Sequence, residues 1–169
     1  MERLMDKILF KSFFVFLFLF FFSACTSSYN MSVYLSPELK DYYGYYPSLE
    51  VDIVGLNENE KNWMSSYNMN KYFEANNPMR KSLMPHTLKF SQSNGAAEQD
   101  FNDNAKEWNL WKKKGAVELL VAVNLPGVDD SVKKVTKDIK SYIGKRKHIY
   151  IEIRPVGITF LDSKPTYNQ

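Results

Sequence analysis

Few side chains in this 169-residue chain can do chemistry, and their spacing narrows what that chemistry is. Cys25 is the only cysteine, so no intramolecular disulfide can form. The two histidines, His86 and His148, have no second histidine or cysteine at metal-ligand spacing. No glycine-rich phosphate loop, Gly-x-Ser-x-Gly turn or His-Glu-x-x-His helix occurs. Serines and carboxylates are plentiful, but a triad is defined by geometry and no spacing here selects one. The pair Asp129-Asp130 reads as the start of a turn or helix rather than an acid–base dyad. These residues point away from an enzyme and call for no metal and no cofactor. What remains is the lone thiol of Cys25 and the contact chemistry of aromatic side chains.

The surroundings of Cys25 give the thiol a role. Arg3, Lys7 and Lys11 form a basic stretch, residues 13–22 are almost purely apolar, and Ser23 and Ala24 are small. This is the order of an export signal. The apolar run is too short to cross a bilayer as a helix, which takes about 20 residues. Phe22-Ser23-Ala24-Cys25 resembles the lipobox of bacterial lipoproteins, with Phe22 where leucine is usual. The resemblance implies that the Cys25 sulfur takes a diacylglycerol, that residues 1–24 are cut away, and that the new amine is acylated. The competing reading is an ordinary secretory signal cut near a cysteine. Two or more acyl chains hold a protein stably where one is marginal. Thr26 follows, not the aspartate that retains enterobacterial lipoproteins at the inner membrane. That points to the outer membrane, with the protein facing the periplasm.

The remaining 145 residues, 25–169, suit one domain with a real core. The chain's net charge of +3 falls to +2 without the signal, which carries three basic and two acidic residues. So small a bias gives no argument for a nucleic-acid partner. Residues 25–30 form the lipidated terminus and a short tether. Residues 26–30 span at most about 18 Å at ~3.5 Å each, so the domain at 31–169 sits near its membrane.

Periodicity then places the elements. Met31, Val33 and Leu35 alternate with polar neighbours as a strand, and Leu49, Val51 and Ile53 do the same up to Gly55. Asn57 and Glu60 form a capping-box pair at a helix start, with Trp63, Tyr67 and Met64 as its apolar side. A short helix is expected over 69–74, a strand over 87–92, a polar loop over 91–104 and a helix over 103–113. That last helix carries Trp108 and Trp111 on one face as core residues. Residues 116–124 are the strongest strand, apolar enough to be central. Residues 129–142 are ambiguous between helix and loop: Val132, Val135, Ile139 and Tyr142 fit a helical face, with the lysines between them as its wet side. Strands follow at 148–153 and 156–161, with a bend at Pro155. The expectation is a mainly β domain, a two-sheet sandwich of six or seven strands with short helical insertions.

Residues 36–48 read as a connection, and they hold the most unusual run, Tyr42-Tyr43-Gly44-Tyr45-Tyr46. Tyrosine offers a large amphipathic contact with little rotamer entropy to lose, so four of them in a connection read as a protein-binding surface. The alternative is that two fold back on the sheet edge while the others face solvent. The basic runs 112–114 and 145–147 read as solvated element ends, with anionic headgroups as the functional alternative.

The order of lipobox, strand at Val33-Tyr34-Leu35, apolar strand at 49–56, aromatic helix at 63–73, central strand at 118–123 and two terminal strands resembles one known family. It is similar to the outer-membrane lipoprotein of the bacterial type VI secretion system. That resemblance implies a transthyretin-like β-sandwich without enzymatic activity or cofactor, which tethers an inner-membrane partner to the outer membrane. It also implies that the loop between the first two strands, here with Tyr42, Tyr43, Tyr45 and Tyr46, meets that partner. The expected function is a docking or assembly subunit for another envelope protein. The alternative is a lipoprotein that binds or hydrolyses a small ligand or glycan.

Cys25→Ser should abolish lipid labelling and leave precursor or a soluble form. Correct cutting and membrane retention of that variant would refute the lipoprotein reading.

Overall fold

The structure, a computed structural model, describes residues 28–92, 96–139 and 148–167. Cys25, Tyr142 and the basic run at 145–147 lie outside the described residues. Two four-stranded sheets make the body. One has the order β4 (Glu98–Phe101), β1 (Asn30–Leu35), β7 (His148–Arg154), β8 (Gly157–Leu161). The other has the order β3 (His86–Phe90), β2 (Leu49–Leu56), β5 (Glu118–Val123), β6 (Lys134–Asp138). Among the described strands, only β1 and β7 pair in parallel. The protein is mainly β, as the alternating pattern requires. The described residues hold eight strands rather than six or seven.

Alternation decides which side chains meet between the sheets. Met31, Val33 and Leu35 of β1 and Ile149, Ile151 and Ile153 of β7 face Leu49, Val51 and Ile53 of β2 and Leu119, Val121 and Val123 of β5. The other face of the second sheet is also apolar. Val54, Leu56, Leu120 and Ala122 pack under a helical layer and join Met64, Met69, Tyr72 and Leu83 in a second core. That layer consists of α2 (Glu58–Ser66), α3 (Met69–Tyr72) and α4 (Pro78–Leu83). Among the described residues, the two remaining helices, α1 (Pro37–Tyr43) and α5 (Lys106–Lys113), serve the two ends of the sandwich.

The helical layer is pinned by polar contacts as well as by burial. Asp52 of β2 is fully buried on the same face as Val54. It accepts hydrogen bonds from Arg80 Nε at 2.7 Å and Nη2 at 2.9 Å, from Tyr72 Oη at 2.9 Å and from Thr87 Oγ1 at 2.6 Å. Arg80 also reaches Glu50 at 2.7 Å and lies 4.8 Å from the Phe73 ring centre. The Asp52 bonds hold the guanidinium pKa above its ordinary value. Burial, with Asp52 beside it, raises the Tyr72 phenol. Arg80 holds the Glu50 carboxyl below the usual carboxylate range.

Several local expectations give way to tertiary contacts. Residues 129–139 do not form a helix. Asp130–Val132 is a 3-10 turn capped by Asp129, and Lys134–Asp138 is the strand β6. The reason is the free edge of β5, which β6 completes with the register Val121↔Val135. The polar residues of this stretch also hold the helical layer. Asp130 accepts from the Met69 and Asn70 amides, and Lys134 Nζ donates to the carbonyls of Met64, Ser65 and Tyr67. These three carbonyls end α2, where a cation complements the dipole. The expected loop at 91–104 contains β4, which pairs with β1 from Met31↔Phe101 to Tyr34↔Glu98. Helix α4 went unanticipated, although Asn77 caps it and Pro78 occupies its first turn. Within α2 the capping box of Asn57 and Glu60 forms, and Met64 is the buried residue. Trp63, expected on the apolar side, is 59% exposed. Pro155 and Val156 form a tight turn between β7 and β8.

Gly55 does not end β2, which continues to Leu56. Its lack of a side chain has another use. A Cβ there would lie 2.7 Å from the Cβ of Trp111. The glycine lets α5 lie across the strand end and insert Trp108 and Trp111 into the core. Tyr29, Phe101 and the two indoles pack together there, with Tyr29–Trp108 centres 5.7 Å apart and Trp108–Trp111 centres 5.1 Å apart.

Two substitutions separate the two ways the helical layer is held. Leu120→Ala should cost about 2–5 kcal/mol of stability, because the side chain is fully buried between β5 and the helices. Asp52→Asn should cost on the order of 3 kcal/mol by leaving Arg80 without its buried partner. Denaturant unfolding measures both, and a loss under about 0.5 kcal/mol in either would place that side chain outside the core.

Candidate functional site

The four tyrosines sit on and just after a helix, not in an irregular loop. Ser36 caps α1, Pro37 occupies its first turn, Glu38 lies at its positive end, and Gly44 ends it with φ of 77°. Leu39 is the buried anchor of α1, and the Ser36 amide donates to the Ile153 carbonyl at 2.9 Å. Arg154 pairs with Glu38 and fastens the outer side of the helix to β7. The left-handed turn at Gly44 then separates the tyrosines into two pairs.

Each pair has one exposed and one folded-back ring. Tyr42 is 64% exposed and meets Tyr43 edge-on, with ring centres 4.8 Å apart. Tyr43 is half-buried, packs on the core, and donates its hydroxyl to the Pro126 carbonyl at 2.6 Å. Burial raises the Tyr43 phenol pKa, and the neighbouring tyrosines add to the effect. Beyond Gly44, Tyr45 is 52% exposed and Tyr46 packs partly against the core. The structure therefore leaves Tyr42 and Tyr45 in solvent and packs Tyr43 and Tyr46 against the body of the domain.

Beside Tyr45 and Tyr46 lies a cleft of about 210 Å³, bounded also by Lys40, Pro47 and Gln92. It is smaller than the roughly 300–1,000 Å³ of a small-molecule pocket. The tyrosine end is opposite the end where the chain enters the domain. β1 enters at Asn30 and leaves toward α1 at Leu35, six residues and about 20 Å later at ~3.3 Å each. The β7–β8 turn lies at the tyrosine end too and presents Val156, 73% exposed. Nothing local in the sequence marks Val156, since only strand pairing shows which end the turn occupies.

The remaining chemistry-bearing residues divide between packing and one polar cluster. His86 lies against Phe101, with ring centres 4.3 Å apart, and its Nδ1 is 3.5 Å from Glu107 Oε1. His148 stacks on Tyr150 and places Nε2 2.8 Å from Ser32 Oγ, which also bonds Asp100. Serine, histidine and aspartate thus meet, but in the wrong order for nucleophile activation. The carboxylate takes the serine hydroxyl directly instead of orienting the imidazole. Strand register brings these three together on the outer face of the first sheet, with Ser32 opposite Asp100 and Tyr150. Among the described residues, no group of three or more acidic, histidine or cysteine side chains is placed to hold a metal.

No family model matches the chain, and no curated protein matches it in sequence. Similarity appears at the level of solved structures. A structure described as a type VI membrane complex superposes with a TM-score of 0.58 at 13% identity, over 80% of this chain and 98% of that one. The type VI secretion lipoprotein TssJ1 from Pseudomonas aeruginosa gives 0.56 at 11% identity, over 84% and 99%. Lip from Serratia marcescens, a membrane-bound component of the type VI secretion system, gives 0.51 at 8% identity, over 82% and 99%. The β-sandwich layout of the type VI secretion lipoproteins is the fold of this chain, shared along nearly the whole length of each neighbour.

Proposed function

We propose that the protein is a lipid-anchored envelope lipoprotein that docks a second envelope protein, as an assembly subunit of a type VI secretion-like membrane complex. The observation that carries this reading is the placement of exposed Tyr42 and Tyr45 at the end of the sandwich opposite the chain's entry. A lipid on Cys25 puts the entry end at the membrane and presents the tyrosines to the periplasm. The rings at 42 and 45 are held by a capped helix, a left-handed glycine and the Tyr43–Pro126 hydrogen bond. Such preorganisation lowers the ordering cost of binding. The fold neighbours include components of membrane complexes, which supports an assembly role at the level of fold. The outer membrane is the proposed site of anchoring, with an inner-membrane protein's periplasmic part as the partner.

A photo-crosslinking residue at position 42 or 45 should capture an integral inner-membrane protein in cells, and the same residue at Trp63 should not. Tyr42→Ala or Tyr45→Ala should cost at least ~2 kcal/mol of binding to the captured protein. Stability of those two variants should change by less than about 0.5 kcal/mol, because both rings are exposed. Tyr43→Ala and Tyr46→Ala should lose stability as well. Undiminished binding of the Tyr42/Tyr45 double variant would remove the tyrosines from the docking surface.

A further inference from the structure

The entry end of the sandwich has a surface of its own. Helix α5 closes this end, with Trp108 and Trp111 turned into the core. Its ties are all to this end: Trp111 Nε1 donates to the Met84 carbonyl just before β3, and Asn57 Nδ2 donates to the Lys114 carbonyl just after β2. The face opposite the indoles carries Lys106, Asn109, Leu110 and Lys113, at helical spacing and all exposed. No acid lies in that stripe. Glu107 is turned toward His86, and Glu60 is engaged by Lys114 at 3.0 Å. Among the described residues, neither Lys106 nor Lys113 has an ion-pair partner.

Chain length says what this face meets. Lys112 Nζ lies 3.3 Å from Ser28 Oγ, so the chain enters the domain against the end of α5. Three chain steps, through Thr26 and Ser27, lead from Ser28 back to Cys25, a reach of at most about 11 Å. A lipid on Cys25 therefore keeps the C-terminal end of α5, where Lys113 lies, within about 11 Å of the headgroups, comparable to the Debye length of roughly 8 Å at physiological ionic strength.

We propose that the outer face of α5, through Lys106 and Lys113 with Leu110 between them, rests on anionic phospholipid headgroups and fixes the tilt of the domain on its membrane. The face would then set the direction in which Tyr42 and Tyr45 point. This inference rests on lipidation of Cys25.

The test uses the full lipidated chain with Asn109→Cys as its free thiol, since the sulfur of the single native cysteine carries lipid. A polarity-sensitive fluorophore on that thiol is quenched with neutral acrylamide in vesicles of phosphatidylcholine, with and without phosphatidylglycerol. A second protein carries the label at Val156→Cys, at the far end. The expected result is several-fold weaker quenching at 109 than at 156, in phosphatidylglycerol vesicles only. Each lysine near an anionic surface favours the docked orientation by roughly fivefold, so Lys106→Gln with Lys113→Gln should restore quenching at 109. Equal quenching at both positions in vesicle-bound protein would overturn the docked face and leave the anchor standing. Equal protection of 109 without phosphatidylglycerol would overturn the role of charge. Failure of the protein to float with vesicles would overturn the anchor, and this proposal with it.

Discussion

The second sheet of this protein is apolar on both faces, and most of the architecture follows from covering it. One face of β2 and β5 packs against β1 and β7 in the manner of a sandwich. The opposite face carries Val54, Leu56, Leu120 and Ala122, which would otherwise lie in water. Asp52 shares that face and makes the demand specific. A buried carboxylate needs a partner and hydrogen bonds, and Arg80, Tyr72 and Thr87 supply them. Residues 58–83 therefore fold as three short helices across the sheet in one orientation. Apolar burial supplies the drive, and the Asp52–Arg80 contact selects the placement.

The two ends of the sandwich are finished differently, and this difference gives the molecule its polarity. At the entry end, Gly55 lets Trp111 approach β2, and α5 seals the core with two indoles. At the other end, α1 leaves β1 through a capped turn and stops at Gly44, holding two tyrosine rings in solvent and two against the body. A rigid sandwich about 20 Å along β1 separates the two surfaces. The proposed lipid anchor at one end and the proposed docking surface at the other would space a partner away from a membrane.

The polar cluster of Ser32, Asp100 and His148 shows how chemistry-bearing residues mislead when only their types are counted. The three side chains do meet, on adjacent strands of one sheet. Register explains the meeting: alternate residues of β4, β1 and β7 share the outer face. The Ser32 hydroxyl is shared between the other two groups and joins three strands of that sheet.

The order of the apolar strands, the capped start of α2, the inward tryptophans of α5 and the β-sandwich class were legible in the sequence. They rest on local rules of periodicity and capping that each segment satisfies alone. Helix α1 stands where a connection is expected from the sequence, although Ser36, Pro37, Glu38 and Gly44 carry its start and stop signals. Other features were settled only when the segments met. Val132, Val135 and Ile139 stand at helical spacing, yet residues 134–138 pair with β5 because an open strand edge offers five residues of backbone partners. Asp100 lies in a polar stretch that becomes β4 because β1 needed a neighbour. Asp52 looks like the solvent side of an alternating strand until the helices cover it. Periodicity shows that a strand has two faces. What covers each face is decided by distant parts of the chain, and so the division of the tyrosines into exposed and supporting rings belongs to tertiary structure alone.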